Sequence, residues 1–247
     1  CHDADTKTYD PSYVPRLLFP LEHGHKFTKG YYARVENGQL YGRLFRLFYA
    51  PLVRALADDA PDAPILHYLA AFRYALAGEF AATGDLLATM RFQRSWGLEV
   101  GTLGEAFAAA GLDGGAQVDL GADEHVRRAV GGPTGLSEMS AAVGDALFRV
   151  VSEHGVDVDY AGLPDRYRAA AESLRRQYAV DAAYNGLAYD RDDEREQIDT
   201  YADALREPGA DSRLPAWNDA PISPDAVAAA ADADLRAATD EAGTENG

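Results

Sequence analysis

One cysteine, at position 1, stands in a chain of 247 residues, so no disulfide can form within it and a fold of this size must be held by its core. Lysine is nearly as scarce. Only Lys7, Lys26 and Lys29 occur; the other 20 of the 23 basic residues are arginine, against 40 acidic ones, for a net charge of 23 − 40 = −17. Such a charge opposes attraction to a nucleic-acid backbone, which needs basic stripes that displace counterions, so no nucleic-acid partner is expected. Long apolar runs are missing too. None reaches the ~18–20 residues of a membrane span, and no cationic stretch leads into an apolar one as in a signal peptide. These absences, together with the reducing compartment implied by the single thiol, point to a cytoplasmic protein with no membrane partner.

What is present suffices for a core: 47% of residues are hydrophobic and 10% aromatic, which argues against wholesale disorder despite the charge. Arginine in place of lysine amid abundant Asp, Glu and Ala resembles the cytoplasmic proteins of salt-accumulating halophiles. At molar salt the Debye length is ~3 Å, so a charge of this size repels itself little and keeps the surface hydrated. Anionic substrates would then need a local basic lining. Lys26, Lys29, Arg34, Arg43 and Arg46 offer one, with Glu36 the only acidic residue among them.

An α/β fold followed by a helical region is expected. His2–Asp5 and Phe27–Val35 read as strands, joined by a link rich in proline at Pro11, Pro15 and Pro20. Residues 42–56 have helical apolar spacing interrupted by Pro51, predicting a kinked or restarted helix. Helices are further expected over 65–76, 78–90 and 102–111, the last closed by Gly111, and a strand over 116–121. Two longer amphipathic helices, 136–153 and 164–183, carry Leu147, Phe148, Val150 and Val151 on one and Tyr167, Leu174 and Tyr178 on the other. Residues 154–207 form a helical extension. From 208 the chain turns proline-punctuated and acidic, and 219–247 holds seven acidic residues and one arginine, which reads as a mobile tail with a marginal helix near 226–238.

Asp3-Ala4-Asp5 places two carboxylates where they can face a divalent cation that also holds a diphosphate. Asp-x-Asp recurs at 157/159, 190/192 and 232/234, so context must choose among them. After the first copy come Lys29-Gly30-Tyr31-Tyr32, Gly42-Arg43 leading into a Pro-Leu helix, Gly78-Glu79-Phe80, Trp96-Gly97-Leu98-Glu99-Val100-Gly101, and Gln117-Val118-Asp119-Leu120-Gly121 ending at His125. In this order the motifs resemble the glucosyl-3-phosphoglycerate synthase family, retaining glycosyltransferases of GT-A fold, over roughly residues 1–153. The resemblance implies a chain that begins near the middle of the catalytic domain, without the Rossmann-type nucleotide-binding half. The opening CHDAD, with no initiator Met, reads the same way.

Carried over residue by residue, the resemblance implies that Asp3 and Asp5 bind the metal and the donor diphosphate, Asp5 as direct ligand, with His125 completing the metal site. A histidine among the ligands makes Mn²⁺ at least as suitable as Mg²⁺. Glu99 is implied to contact the donor sugar, and a carboxylate in so apolar a run needs such a partner; as a glutamate at a helix N-terminus it also suits the dipole. Gly42 and Arg43 are implied to grip the acceptor phosphate, and Arg128 to lie near the diphosphate. Two positions depart from the pattern: Phe45 stands where a threonine is expected and Arg127 where an asparagine is, so Arg127 would supply charge to the acceptor instead. The expected reaction is transfer of a hexose from UDP-glucose or GDP-mannose to 3-phosphoglycerate or a similar small phosphorylated acceptor, giving an osmolyte precursor. The cation and Arg128 would neutralise the departing nucleoside diphosphate, with no covalent nucleophile. A different sugar or a lipid phosphate, and a non-catalytic half-domain completed by another chain, are the alternatives, and a homodimer is a candidate assembly.

Overall fold

The structure, a computed structural model, describes residues 1–4, 6–36, 38–122 and 132–244. Three strands form its sheet, in the order β4 (Phe80–Ala82), β1 (Phe27–Ala33), β5 (Gly115–Ala122), with β1 antiparallel to β4 and parallel to β5. Cys1 and Phe80 exchange backbone hydrogen bonds of 2.8 and 3.3 Å, which lays the first residues along the free edge of β4. They do so without forming the regular strand expected over 2–5. Phe27 to Gly30 are buried on both faces of β1. On one face Tyr13 packs with Tyr32, Ala77 and Leu120; the other faces the main core, where Phe27 and Phe80 stack at 5.7 Å.

Tyr13 belongs to α1 (Tyr13–Glu22), which replaces the expected proline-rich link. Both prolines are tolerable where they stand. Pro15 lies in the first turn, whose N–H groups have no intrahelical acceptor, and Pro20 lies close to the end. Burial of Tyr13, Leu17 and Pro20 on one stripe supplies the stability that local propensity lacks. The segment expected as a helix over 78–90 also differs. Its first part is β4, imposed by pairing with β1, and α4 (Gly84–Thr89) follows with the Thr83 hydroxyl accepting from the Leu86 N–H. The helix expected over 65–76 is α3 (Pro64–Ala70), which stops early, and turns lead on to Ala77.

A hairpin of β2 (Val35–Glu36) and β3 (Gln39–Leu40) precedes a π-helical turn, Leu44–Tyr49, which runs directly into α2 (Ala50–Asp59). Pro51 falls in the first turn of α2 and does not break it. Having no N–H, it leaves the Leu47 carbonyl without its usual α-helical donor, and the buried Tyr167 hydroxyl donates to that carbonyl at 2.6 Å. α5 (Leu98–Ala110) ends at Gly111 with φ 66, as the glycine suggested. It lies against α6 (Gly132–Glu153) so closely that a Cβ on Gly104 would sit 2.5 Å from Val150 Cγ2. α7 (Leu163–Tyr184) and α8 (Arg191–Ala202) cover α2 and the π-helical turn, with Phe48 5.3 Å from the Tyr201 ring. The polar stretch after Pro208 is tied to the body. Arg149 donates to the Gly209 carbonyl, Arg94 to that of Ser212, and the Leu214 N–H to that of Phe92. α9 (Pro224–Thr244) follows. Among the described residues no helix is long and apolar enough to cross a membrane.

Candidate active site

Asp3, Lys29, Glu79 and Glu99 come together where the first residues, β1, β4 and α5 converge. Lys29 is an inward-facing residue of β1, 1% exposed, and its ammonium donates to the Ala77 carbonyl. Burial lowers its pKa from 10.5 to about 8, although the carboxylates of Glu99, Glu79 and Asp3 pull the other way. Glu99, in the first turn of α5, is pushed up by its own burial, against its own backbone N–H and the Lys29 charge. Both effects proposed for Glu99 from sequence thus share one position: a helix N-terminus and a mostly apolar setting.

Glu79 is 1% exposed, and its Oε1 accepts the Asp3 N–H at 3.2 Å. Its Oε2 is buried with no hydrogen-bond partner among the described residues. Two glycines make this approach possible. A Cβ on Gly30 would meet Glu79 Cβ at 3.0 Å, and one on Gly78 would sit 2.5 Å from Asp3 Oδ2 and nearer still to the rest of that carboxyl. Three carboxylates and one ammonium leave a net of −2, the charge that a divalent cation cancels, and hard oxygen donors suit such a cation. In charge and donor type these residues suit a metal, although Asp3, Glu79 and Glu99 do not by themselves converge closely enough to hold one. No group of three or more ligating side chains exists among the described residues, and the other implied ligands, Asp5 and His125, lie outside them, as do Arg127 and Arg128.

Gly42 and Arg43 stand at the other side of the segment 71–79. Gly42 has φ 76, a left-handed conformation that favours glycine, and a Cβ there would press on the Tyr74 hydroxyl at 3.0 Å. Tyr74 also meets Tyr32 of β1 and Phe45, at 5.1 and 5.0 Å between rings. Phe45, in place of the expected threonine, is thus an aromatic packing residue. The same short segment offers Ala77 to Lys29 and Gly78 and Glu79 to Asp3, so it touches both groups of residues. Arg43 pairs with Asp193 of α8 and lines an open cavity of about 500 Å³ with Gln39, Leu40, Tyr189, Asp190 and Arg191. The clustered basic residues do not form one anion-binding lining: Lys29 and Arg46 are buried beside different carboxylates, and Arg43 alone of them borders the cavity.

No family model matches the chain. Curated relatives do. It is 39% identical over 223 residues to the glucosyl-3-phosphoglycerate synthase of Methanococcoides burtonii, covering 86% of this chain and 55% of the relative. The chain belongs to the glucosyl-3-phosphoglycerate synthase family. The enzyme of the same name from Persephonella marina is 36% identical over 214 residues, covering 83% of this chain and 53% of that one. The chain thus spans about half the length of the curated relatives it matches. Crystal structures of the Mycobacterium tuberculosis synthase are 30% identical, covering 64% of this chain; one contains Mn²⁺, UDP and phosphoglyceric acid (TM-score 0.47, 48% of that chain), another Mg²⁺ and UDP (TM-score 0.47, 49%).

Sequence assigns Lys29 only a share in a basic lining for anionic substrates and assigns Glu79 no role. A signal existed for each: a lone lysine inside an apolar strand, and an acid flanked by glycine and phenylalanine next to one, are costly to bury unless paired.

Proposed function

We propose that this chain forms the metal- and acceptor-binding part of a retaining glycosyltransferase that moves a glucosyl group from UDP-glucose to 3-phosphoglycerate. The observation that carries the reading is the cluster of buried Lys29 and Glu79 with half-buried Asp3 and Glu99, net −2, within the glucosyl-3-phosphoglycerate synthase family. A divalent cation, Mn²⁺ or Mg²⁺, would be held by Asp3, Asp5 and His125 and would supply charge for the departing diphosphate. Arg128 adds to that charge. Glu99 holds hydroxyls of the donor sugar, a use for a carboxylate that burial otherwise disfavours. Glu79 fixes Asp3 through its backbone N–H, and Lys29 keeps the neighbouring carboxylates from repelling one another. Gly42, Arg43 and Arg127 receive the acceptor phosphate. With no side chain in the role of covalent nucleophile, positioning and leaving-group stabilisation provide the catalysis. The glucosylated glycerate would serve as an osmolyte precursor, in keeping with the acidic, lysine-poor composition.

Release of nucleoside diphosphate tests this, with UDP-glucose or GDP-mannose, 3-phosphoglycerate and Mn²⁺ or Mg²⁺ at molar KCl, on this chain and on a polypeptide extended upstream. Turnover with UDP-glucose that disappears in Asp5→Ala and His125→Ala supports the reading. Turnover that survives both substitutions removes the metal assignment, and preference for GDP-mannose replaces the donor. Because the chain spans half of its relatives, a second reading is a part that binds ligands without turning over unless the remainder is present. Turnover by the longer polypeptide alone supports that one.

A further inference from the structure

Asp190 caps α8, which opens with Arg191-Asp192-Asp193-Glu194, and the run reads as a solvated acidic face, yet Glu194 is 3% exposed. It occupies the buried stripe that continues through Ile198, Tyr201 and Ala202. Its partner is Arg46 of the π-helical turn, itself 5% exposed, whose Nη2 donates to Glu194 Oε1 at 2.7 Å while the Tyr189 hydroxyl donates to Oε2. The Tyr178 ring covers the guanidinium at 4.8 Å from Cζ. Nη1 also donates to Glu194 Oε2 at 3.4 Å, while two further N–H groups of Arg46 turn to the residues before it. Nε donates to the Tyr41 carbonyl at 2.9 Å and Nη2 to the Leu40 carbonyl at 3.3 Å.

These two carbonyls belong to the residues immediately before Gly42-Arg43, in the left-handed turn that Gly42 makes possible. Three further contacts join the same two parts. The Ala188 N–H donates to the Gly38 carbonyl at 2.8 Å, Gln39 bridges to Ala188, and Arg43 pairs with Asp193. The Arg43–Asp193 pair is open to solvent on both sides and contributes little. The Arg46–Glu194 pair is dry and has its hydrogen bonds satisfied, so it decides where the turn sits. The cavity of about 500 Å³ that Arg43 borders is also lined by Tyr189, another residue of this network.

We propose that Glu194, acting through Arg46, is a positioning residue for the acceptor: the helical C-terminal part sets the turn at Leu40–Arg43 and so the place where a small phosphorylated acceptor is gripped. This rests on the assignment of Gly42 and Arg43 to the acceptor phosphate. It adds that α8, which the family motifs do not reach, is part of that site.

The test compares the full wild-type protein with Glu194→Gln and with the paired change Arg46→Met and Glu194→Leu. The paired change removes both charges at similar volume, a replacement that buried ion pairs commonly tolerate without loss of fold. Initial rates are measured against 3-phosphoglycerate, UDP-glucose and Mn²⁺ separately, with thermal unfolding as the check on folding. The expected result is a rise of about tenfold in KM for 3-phosphoglycerate in the paired variant and a smaller rise in Glu194→Gln, with KM for UDP-glucose and half-saturation by Mn²⁺ within about twofold of wild type. An unchanged acceptor KM in a cooperatively melting variant overturns the proposal, as does an equal rise for donor and acceptor. If the paired variant fails to fold, Glu194→Gln carries the same comparison. Wild-type protein that transfers nothing to 3-phosphoglycerate counts against the proposed function, not the clamp. Amide exchange over 40–46 then reads the clamp alone: faster exchange in the variants supports it, and exchange at the wild-type rate overturns it.

Discussion

Replacing Gly78 by alanine probes the role of Asp3, because the backbone there has no positive φ and the three atoms nearest the added methyl all belong to the Asp3 carboxyl. The added Cβ would lie 2.5 Å from Asp3 Oδ2 and closer still to Cγ and Oδ1, against the ~3.5 Å at which non-bonded heavy atoms rest. The nearest carboxyl oxygen must therefore retreat by about 1.5 Å, which a short, rotatable side chain can do with little loss of fold. The Asp3 backbone, held by Glu79 at 3.2 Å, stays in place. A displacement of that size in a catalytic group costs on the order of 10²-fold, and loss of a well-placed metal contact about 10–100-fold in affinity. Gly78→Ala should accordingly raise the Mn²⁺ concentration for half-maximal nucleotide release by about 10-fold or more, while its melting temperature moves by no more than a few degrees. Normal metal dependence at a normal rate would show that Asp3 is not aimed at the metal and would refute the reasoning.

Gly104→Ala pushes a methyl to 2.5 Å from Val150 Cγ2 where α5 meets α6; overpacking of this kind costs ~1–3 kcal/mol, read as a fall of roughly 2–4 °C in melting temperature per kcal/mol. Lys29 gives a pH signature: with its pKa lowered from 10.5 to about 8 in the folded protein, the unfolded chain holds more protons between these values, so this residue makes stability rise as pH goes from 8 to 10. The buried Tyr49 and Tyr167, whose pKa values are raised by burial, act in the opposite sense only above about pH 10. Denaturant titrations should show the rise between pH 8 and 10 in wild type and its absence in Lys29→Met. Arg213, with its side chain 2% exposed, donates to Glu105 at 3.1 Å and to Asp211 at 2.8 Å. Arg213→Met should cost about 2 kcal/mol by stranding those acids and speed proteolysis in the stretch after Pro208, whereas unchanged cleavage would show that this stretch is held otherwise.

Periodicity made the long elements legible. α6 and α7 have apolar stripes over many turns, and Gly111 marks the end of α5, so local and tertiary signals agree there. α1 was hidden by Pro15 and Pro20, whose positions in the helix, unlike their presence, make them harmless. β4 was hidden because Phe80–Ala82 has no β-branched residue and owes its extension to β1. In the candidate site, Asp3 and Glu99 could be named because ordered motifs surround them. Glu79 and Glu194 could not be given roles, and Lys29 was read as part of an anion-binding lining, since a charged residue in sequence looks solvated until the fold shows what faces it. Glu194 is the sharpest case: the run around it is charged throughout, and only its spacing of four and seven from Ile198 and Tyr201 hints at burial.

The central claim, that the cluster around Asp3 is where a metal and a nucleotide-sugar meet, is tested most directly by a crystal structure of the protein grown with Mn²⁺ and UDP-glucose. The expected result is Mn²⁺ bonded to carboxylate oxygen of the Asp3-Ala4-Asp5 segment, bridging the diphosphate, with hydroxyls of the glucosyl group within hydrogen-bond distance of Glu99. A fully occupied metal and diphosphate bound elsewhere, with Asp3 and Glu99 untouched, would contradict it.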